Sequence, residues 1–571
     1  MKKYIIILIS MLILPVVFSQ EALKTTEDEY YDFLSLIGSF PRPTLGYRTL
    51  SDSEYEVYTM NDEFHIWKNN NLGSKYTLFE KSEQNLNWFT CGINENINYK
   101  VFAPEWFNSY NSEVPYGQND GALWQGKGYN SSLTFGARIE AYGFEVTFKP
   151  QLCYSQNKEY DYLIDRSRSA FSLNEKGSEY GYLWGNIDLP QRFGDSYFYT
   201  YDWGDTELRW TWYSFTLGAG FQSPWLGPAW LNPMLGSNNA STYPKIDIGF
   251  RKTKIFFPRF KWYIGEIEGR IWCGKLTESK YYDNNPENNE RMLNGISASY
   301  SPSFIPGFTF GINRIFITNW AKHNLKYIGR LFTLSHRNGS QEGNGEDEDQ
   351  KISIFIDWLL PNVGFEVYGE LGIDDFTSEK LSNPFHTAIY TIGVKQCVPL
   401  PVSKISEKVS DLKSELIFEW NNFEMSQDFQ MQWQYMGYYA HGQISQGYTQ
   451  KGQILGAGTG YFGNSQFLGY KVYFPKGYIM PFYHRQSPDT NYIYNISVGK
   501  AIDSTSEEFK RYYGLFKTYR TMGVELSFFA TKNLNFTGSL VSSFINYPNY
   551  NKQTIGIRNY RGTLKIKYNL L

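Results

Sequence analysis

From about residue 95 to its end, the chain repeatedly alternates apolar and polar residues with a period of two, the pattern of half-buried strands. In Leu133–Ala141 the apolar set is Leu133, Phe135, Ala137, Ile139 and Ala141, while Arg138 and Glu140 fall on the other face. Tyr142-Gly143 predicts a tight turn. Phe144, Val146, Phe148 and Leu152 then alternate with Glu145, Thr147, Lys149 and Gln151. The pattern recurs at Gly265–Ile271, Phe308–Ile312, Val363–Leu371 and Val524–Phe528. The last strand sets Leu564, Ile566, Tyr568 and Leu570 against Lys565, Lys567 and Asn569. The N-terminus is different. Lys2 and Lys3 precede an apolar run from Tyr4 to Phe18, with small residues Val17 and Ser19 before Gln20, which predicts a removable signal peptide over residues 1–20. Beyond it no stretch approaches the ~18–20 apolar residues of a spanning helix.

In a membrane core every backbone N–H and C=O must be paired internally, so only helices or closed barrels can span it. An exported chain of alternating strands therefore predicts an all-β fold, a transmembrane antiparallel barrel. Alternation alone would also suit a large secreted sandwich. Tight turns alternating with longer polar loops favour the barrel. The candidate long loops are Glu278–Arg291, Asn338–Gln350 and Ser403–Lys413. About 450–475 residues at roughly 25 per strand and connection give roughly 16–20 strands.

Composition sharpens this picture. Aromatics make up 18% of the 571 residues, yet mean hydropathy is −0.46. A barrel with an apolar exterior, a polar lumen and aromatic girdles reconciles the two values. A net charge of −3 offers no electrostatic case for nucleic acid. Cys91, Cys153, Cys273 and Cys397 are far apart and have no metal-type or CxxC spacing.

Residues 21–95 read as a small periplasmic or plug region, and 96–571 as the barrel. Thr26-Glu27-Asp28-Glu29 predicts a capping box, followed by Tyr30, Phe33, Leu34 and Ile37 at helical spacing and a stop at Gly38. Pro41 and Pro43 force an extended link, and Ser51-Asp52-Ser53-Glu54 is a second capping box. The same residues also suit a plain extension packed on the barrel.

Four segments carry candidate chemistry. Residues 222–245 contain prolines 224, 228, 233 and 244, which exclude a central strand or a continuous helix. Trp225, Leu226, Trp230, Leu231, Met234 and Leu235 still need burial, so a rigid loop folded into the lumen is expected. Trp225 and Trp230 beside Asn232, Asn238 and Asn239 suit sugar recognition, in which rings stack on C–H faces and amides bond hydroxyl pairs. A purely structural plug is the competing reading. The second segment, Asn111–Asn130, holds Asp120 and Trp124, further candidate polysaccharide contacts, among glycines and reads as a tight turn; it is neither a P-loop nor a dinucleotide fingerprint.

The third segment places Glu366, Glu370, Asp374 and Asp375 as a carboxylate cluster at a strand end. Glu366 and Glu370 would share a face about 13 Å apart, beyond the ~5–9.5 Å of glycoside hydrolysis. A lumen salt-bridge network with Arg138, Arg270 or Arg314 is the better expectation. In the fourth, Tyr438–Thr449, His441 could serve as a base. No nucleophile motif or HExxH pair accompanies it, and a structural role is expected.

Together these stretches resemble the Wzi-type capsule-assembly outer-membrane proteins. The resemblance rests on Tyr110-Asn111-Ser112 with Pro115, Asn119–Asn130, Phe148–Leu152, Gly227-Pro228, Asn232-Pro233 and Ser237–Ala240. It continues through Tyr300-Ser301-Pro302, Gly311–Arg314, Val367–Glu370 with Asp374-Asp375, and His441-Gly442 with Gln446–Thr449. It implies a barrel of about 18 strands with a small helical periplasmic portion. It also implies a non-catalytic, lectin-like protein, without cofactor or metal, that organises capsular polysaccharide or exopolysaccharide at the cell surface. Implied partners are that glycan, outer-membrane lipid and the polysaccharide export machinery, with the protein a monomer. The alternative is a porin or substrate-selective channel, which would need an open lumen.

Overall fold

The computed structural model describes residues 25–55, 65–73, 75–80, 92–162, 180, 187–283, 285–320, 326–333, 348–374, 388–398, 400, 412–424, 437–490, 515–549 and 554–570. The signal peptide, Asp375, and most of the Asn338–Gln350 and Ser403–Lys413 loops lie outside these residues.

Among the described residues, eighteen antiparallel staves close into a barrel. In chain order they are β1 (Ile97–Asn111), β2 (Gly128–Ala141), β3 (Phe144–Phe148 continuing as Gln151–Ser155), β4 (Phe198–Asp202 continuing as Glu207–Trp212), β5 (Phe215–Gly220) and β6 (Lys245–Phe256). β7 (Tyr263–Thr277), β8 (Glu290–Pro302), β9 (Phe308–Asn319), β10 (Glu348–Leu360), β11 (Phe365–Asp374) and β12 (Ala388–Cys397) follow. The last are β13 (Lys413–Asn422), β14 (Asn464–Phe474), β15 (Gly477–Ser487), β16 (Thr518–Phe529), β17 (Leu534–Asn546) and β18 (Gly556–Tyr568). β18 closes on β1, from Arg561 opposite Asn111 to Lys567 opposite Glu105. β3 is interrupted at Lys149-Pro150, where proline has no N–H for the ladder.

The alternation resolves inside out, and this separates a membrane barrel from a soluble sandwich. On β2, Ile139 is 54% exposed while its neighbour Arg138 is 1% exposed. On β3, Phe144, Val146, Phe148 and Leu152 all face outward. Arg209, Asp247, Arg270 and Lys351 are buried in the lumen. The apolar set therefore meets lipid and the charged set lines the interior. Among the described residues no helix is long and apolar enough to cross a membrane.

One end of the barrel has short turns, as at Tyr142-Gly143, Tyr213-Ser214 and Pro475-Lys476. Tyr142 and Gly143 both have positive φ, 53° and 79°, as a two-residue turn matched to strand twist requires. The opposite end carries the long connections 112–127, 221–244, 278–289 and 423–463. Short turns mark the periplasmic side of such barrels and long loops the outside.

The helix α1 (Thr26–Leu36) sits in the short-turn mouth. Its cap is Thr25, one residue before the expected Thr26: Thr25 Oγ1 accepts from the Asp28 N–H at 3.0 Å. Tyr30, Phe33, Leu34 and Leu36 bury against Trp67 and against Ile417, Tyr473, Tyr478 and Phe529 of the wall. Charge supports the apolar contact. Glu27 pairs with Lys567 at 2.9 Å, Asp32 with Lys395 at 2.6 Å, and Glu29 with Lys471. Ser51–Glu54 starts no helix among the described residues. It presents Asp52 and Glu54 to lumen arginines instead: Asp52 meets Arg251 at 2.9 Å and Arg270 at 3.1 Å, and Glu54 meets Arg138 at 3.2 Å.

Candidate functional site

The centre of the barrel is organised by the Pro/Trp loop, residues 221–244. Its prolines deny it a ladder, so its backbone groups find partners elsewhere in the lumen. Trp225-Leu226 forms a two-residue ribbon with Tyr47-Arg48, and the Gly227 N–H donates to Gly46 O at 2.9 Å. A single wall carboxylate then fixes the next turn. Glu419 on β13 accepts from the backbone N–H groups of Trp230 at 2.7 Å, Leu231 at 3.0 Å and Asn232 at 2.8 Å. The Tyr368 hydroxyl also donates to it, at 2.7 Å.

Two outer loops clasp this one. The Asn111–Gly128 stretch is not a tight turn. It is a long connection folded inward, with Ala122 and Leu123 buried. Its Gly121 N–H donates to Asn238 O at 2.7 Å, and Asn119 Nδ2 donates to Leu231 O at 3.0 Å. From the 423–463 connection, Tyr439 and Tyr448 donate their hydroxyls to Met234 O at 2.9 Å and Leu235 O at 2.5 Å. Leu226, Met234, Leu235 and Tyr243 join Tyr438, Tyr439, Tyr448 and Phe462, and wall residues such as Trp272, Leu293 and Ile315, in one buried apolar cluster. That cluster packs the outer half of the lumen.

The predicted site residues part company here. Trp225 is 2% exposed, with its indole N–H on Ala229 O at 2.9 Å. Asn232 is buried, accepts from the Thr459 hydroxyl at 2.8 Å and donates to Glu419 at 3.3 Å. Asn238 is buried, and Asn239 donates to Ile454 O at 3.0 Å. Trp230 is half-buried against Phe467, ring centres 4.9 Å apart. Asp120 and Trp124 lie in the first long connection, both half-buried.

The acidic stretch on β11 serves separate partners. Glu366 takes a bidentate pair from Arg42 at 2.9 and 2.7 Å and meets Lys395 at 3.2 Å. Glu370 accepts from the Met234 N–H at 3.4 Å, beneath the Pro/Trp loop. Asp374 pairs with Lys351 at 2.7 Å. Among the described residues, the partners of Glu366, Glu370 and Asp374 are these, not Arg138, Arg270 or Arg314. Arg314 donates to Thr333 O at 2.8 Å and to Gln350 at 3.0 Å. The cause is the N-terminal segment, which brings its own charges into the lumen. His441 caps a turn, its Nδ1 accepting from the Ile444 N–H at 3.0 Å.

On the outer face, Trp124 packs on Phe193 at 4.9 Å, and Tyr281 meets Phe193 at 5.7 Å and Tyr180 at 5.6 Å. Tyr180 donates to Asp195 at 2.6 Å. Three separate connections supply these rings, so sequence proximity offers no signal for the group. Close by, Gln446 donates to Glu278 at 2.6 Å, and Ser279 caps Asp188 at 2.7 Å through its N–H. Burial pushes the Glu278 carboxyl up to about 7, with Asp283 and Asp188 adding to the rise and Gln446 and Arg291 opposing it. A carboxyl raised from an ordinary 4.5 favours docking most at low pH, and that contribution is lost as pH rises through about 7. Proteolysis of the 278–289 loop should therefore be faster at pH 8 than at pH 5. Glu278→Gln should remove most of the difference.

A filled lumen, a helix in the inner mouth and interlocked outer loops define an outer-membrane β-barrel of the plugged kind. The family model for the capsule assembly protein Wzi matches residues 111–513, and the chain belongs to that family. It is an outer-membrane protein of the Gram-negative type. Among solved structures it is similar to Wzi of Escherichia coli, described as an outer-membrane protein involved in group 1 capsule assembly and a carbohydrate-binding β-barrel. Identity is 10%, coverage is 97% of this chain and 99% of that one, and the TM-score is 0.54, a likeness of fold. OprB of Pseudomonas putida and OprD of Pseudomonas aeruginosa match over 82% of this chain, at 12% and 10% identity, covering 94% and 92% of theirs, with TM-scores of 0.36 and 0.37. No curated protein sequence matches the chain.

Proposed function

We propose that this protein holds capsular polysaccharide or exopolysaccharide at the outer surface and organises it there without cleaving it. The observation that carries the reading is the packed outer lumen. A porin needs water along its axis, whereas Tyr438, Tyr439, Tyr448, Met234 and Leu235 bury one another where a channel would run. Capsule-family membership then supplies the glycan. The surface we assign to the polymer is the ring group Trp124, Phe193, Tyr281 and Tyr180 with Asp195, in place of the buried Trp225, Asn232 and Asn238. Each such contact is weak, but a repeating polymer can engage many copies at once. The protein acts as a monomer per site and receives polymer from the export machinery.

Deleting the gene should release polysaccharide into the medium while total synthesis stays unchanged. Normal surface retention in the knockout, or no polymer made at all, would count against the proposal. Trp124→Ala should lower retention with the barrel intact.

A further inference from the structure

A slot of about 280 Å³ runs between the barrel wall and the loops folded into the lumen, beside the seam where β18 meets β1. One side is wall: Thr537 and Ser539 of β17, Thr563 and Arg561 of β18. The other side is Asp120 from the first long connection and Trp230-Leu231 from the Pro/Trp loop, with Thr25-Thr26 at the inner end. Lining positions on β18 run from Arg561 to Lys565, a rise of roughly 13 Å at ~3.3 Å per residue.

Two charged groups on this slot lack partners for buried atoms. Arg561 Nε has no hydrogen-bond partner among the described residues, and Asp120 Oδ2 has only the neighbouring Gln125 amide beside it, outside good hydrogen-bond geometry. Leaving a buried polar atom unmet costs about 1–3 kcal/mol, more when it is charged. The remaining charges are matched: Lys565 sits 3.6 Å from Glu105, Glu29 is held by Lys471, and Glu525 accepts from Tyr478 at 2.5 Å. The carboxylates Glu29, Glu105, Asp120 and Glu525 outnumber the cations Arg561 and Lys565, so the slot has no surplus positive charge to offer an acidic group. Burial also raises the Asp120 carboxyl, against the pull of Arg561, the Gln125 amide and Lys565.

An acceptor and a donor left open across a narrow space, hydroxyls along one wall and a half-buried indole opposite are what a ring of hydroxyls requires. We propose that this slot binds one neutral hexose-type sugar residue, with Asp120 accepting from and Arg561 donating to its hydroxyls and Trp230 beside its C–H face. The volume lies just under the ~300 Å³ at which ligand pockets begin, enough for one ring and too little for a folded chain. The inference rests on the glycan-binding reading above and deepens it: the slot would grip one sugar residue of that glycan within the lumen.

The test uses the full-length protein in detergent. Binding of glucose, galactose, mannose and glucuronate is followed by saturation-transfer NMR, and binding of the producing strain's purified polysaccharide by calorimetry. Asp120→Asn and Ser539→Leu, which fills the slot, are compared with the native chain, and heat-modifiable gel mobility reports barrel integrity. At least one neutral hexose should bind, glucuronate should bind more weakly, and both variants should weaken the hexose tenfold or more while the barrel stays folded. Hexose binding unchanged in both variants, or stronger glucuronate binding, overturns the slot. So does the absence of any hexose signal, which would leave the space to water. Polymer binding that survives such a result leaves the surface reading standing. Hexose binding sensitive to Asp120 without polymer binding overturns the surface reading alone, and loss of both overturns both.

Discussion

Replacing Glu419 by alanine should undock the Pro/Trp loop and turn a closed barrel into a conducting one. Glu419 is 1% exposed and accepts three successive backbone N–H groups, from Trp230, Leu231 and Asn232. The Tyr368 hydroxyl also accepts from the Trp230 N–H, at 3.2 Å, but among the described residues the Leu231 and Asn232 N–H groups bond only Glu419, and Pro228 and Pro233 on either side keep the loop from forming a ladder. Each stranded buried donor costs about 1–3 kcal/mol, and the loss of Glu419 strands those of Leu231 and Asn232. The wall loses nothing comparable, since β13 keeps its pairing with β12 and β14. The expected outcome is a folded barrel, still heat-modifiable on gels, that shows steady conductance in planar bilayers where the native protein shows little. Deleting Pro224–Ala240 should do the same. Glu419→Gln, which retains one acceptor oxygen, should fall between. A Glu419→Ala protein that stays silent and resists protease at the loop would mean that the apolar cluster alone holds the plug.

The barrel is largely legible in the sequence, and the site much less so. Period-two alternation fixes which residues share a face. Arg138 against Ile139, and Lys565 against Leu564, fall as the pattern predicts. The Tyr142-Gly143 turn follows from local chemistry of the same kind. Partners across the lumen are another matter. Arg42 and Glu366 lie 324 positions apart, and nothing local to either residue names the other. Alternation alone points Glu366 at wall arginines, yet Arg138 is held by Glu54, Arg270 by Asp52 and Asp247, and Arg314 by Thr333 O and Gln350. Glu419 stands in a strand with an ordinary alternating pattern, and its role appears only when a loop from residues 221–244 is laid beside it. Asn119 and Asp120 sit in a run of glycines that suits a turn equally well. Only the burial of Ala122 and Leu123 shows that the run is folded inward.

Arg270→Ala should have the second large effect, this time on the inner plug. Arg270 is 1% exposed and bridges wall to N-terminal segment: its guanidinium meets Asp247 of β6 at 2.9 Å and Asp52 at 3.1 Å, and lies 5.0 Å over the Tyr47 ring. Asp247 also binds Arg209 at 2.7 Å, so one charge remains matched there. Asp52 keeps Arg251 at 2.9 Å but loses its more buried partner. Breaking one side of a buried pair typically costs about 3–5 kcal/mol, because the remaining charge stays out of water. Tyr47 carries the ribbon to Trp225-Leu226, so the damage should spread to the Pro/Trp loop. Limited proteolysis should cut residues 44–55 in the variant and spare them in the native chain. The pH dependence follows from Asp52. Burial alone would raise its carboxyl, but Arg270, Arg251 and Arg209 outweigh that and hold it at about 2, below the ordinary 3.8, with Asp247 opposing them. A lowered carboxyl stabilises the plug fully above pH 3.8 and ceases to do so as pH falls through about 2. Asp52 thus contributes equally to the inner plug at pH 5 and pH 8, while Glu278 in the outer 278–289 loop distinguishes the two. A plug that loosens between pH 8 and pH 5 would show that some group other than Asp52 governs the latch.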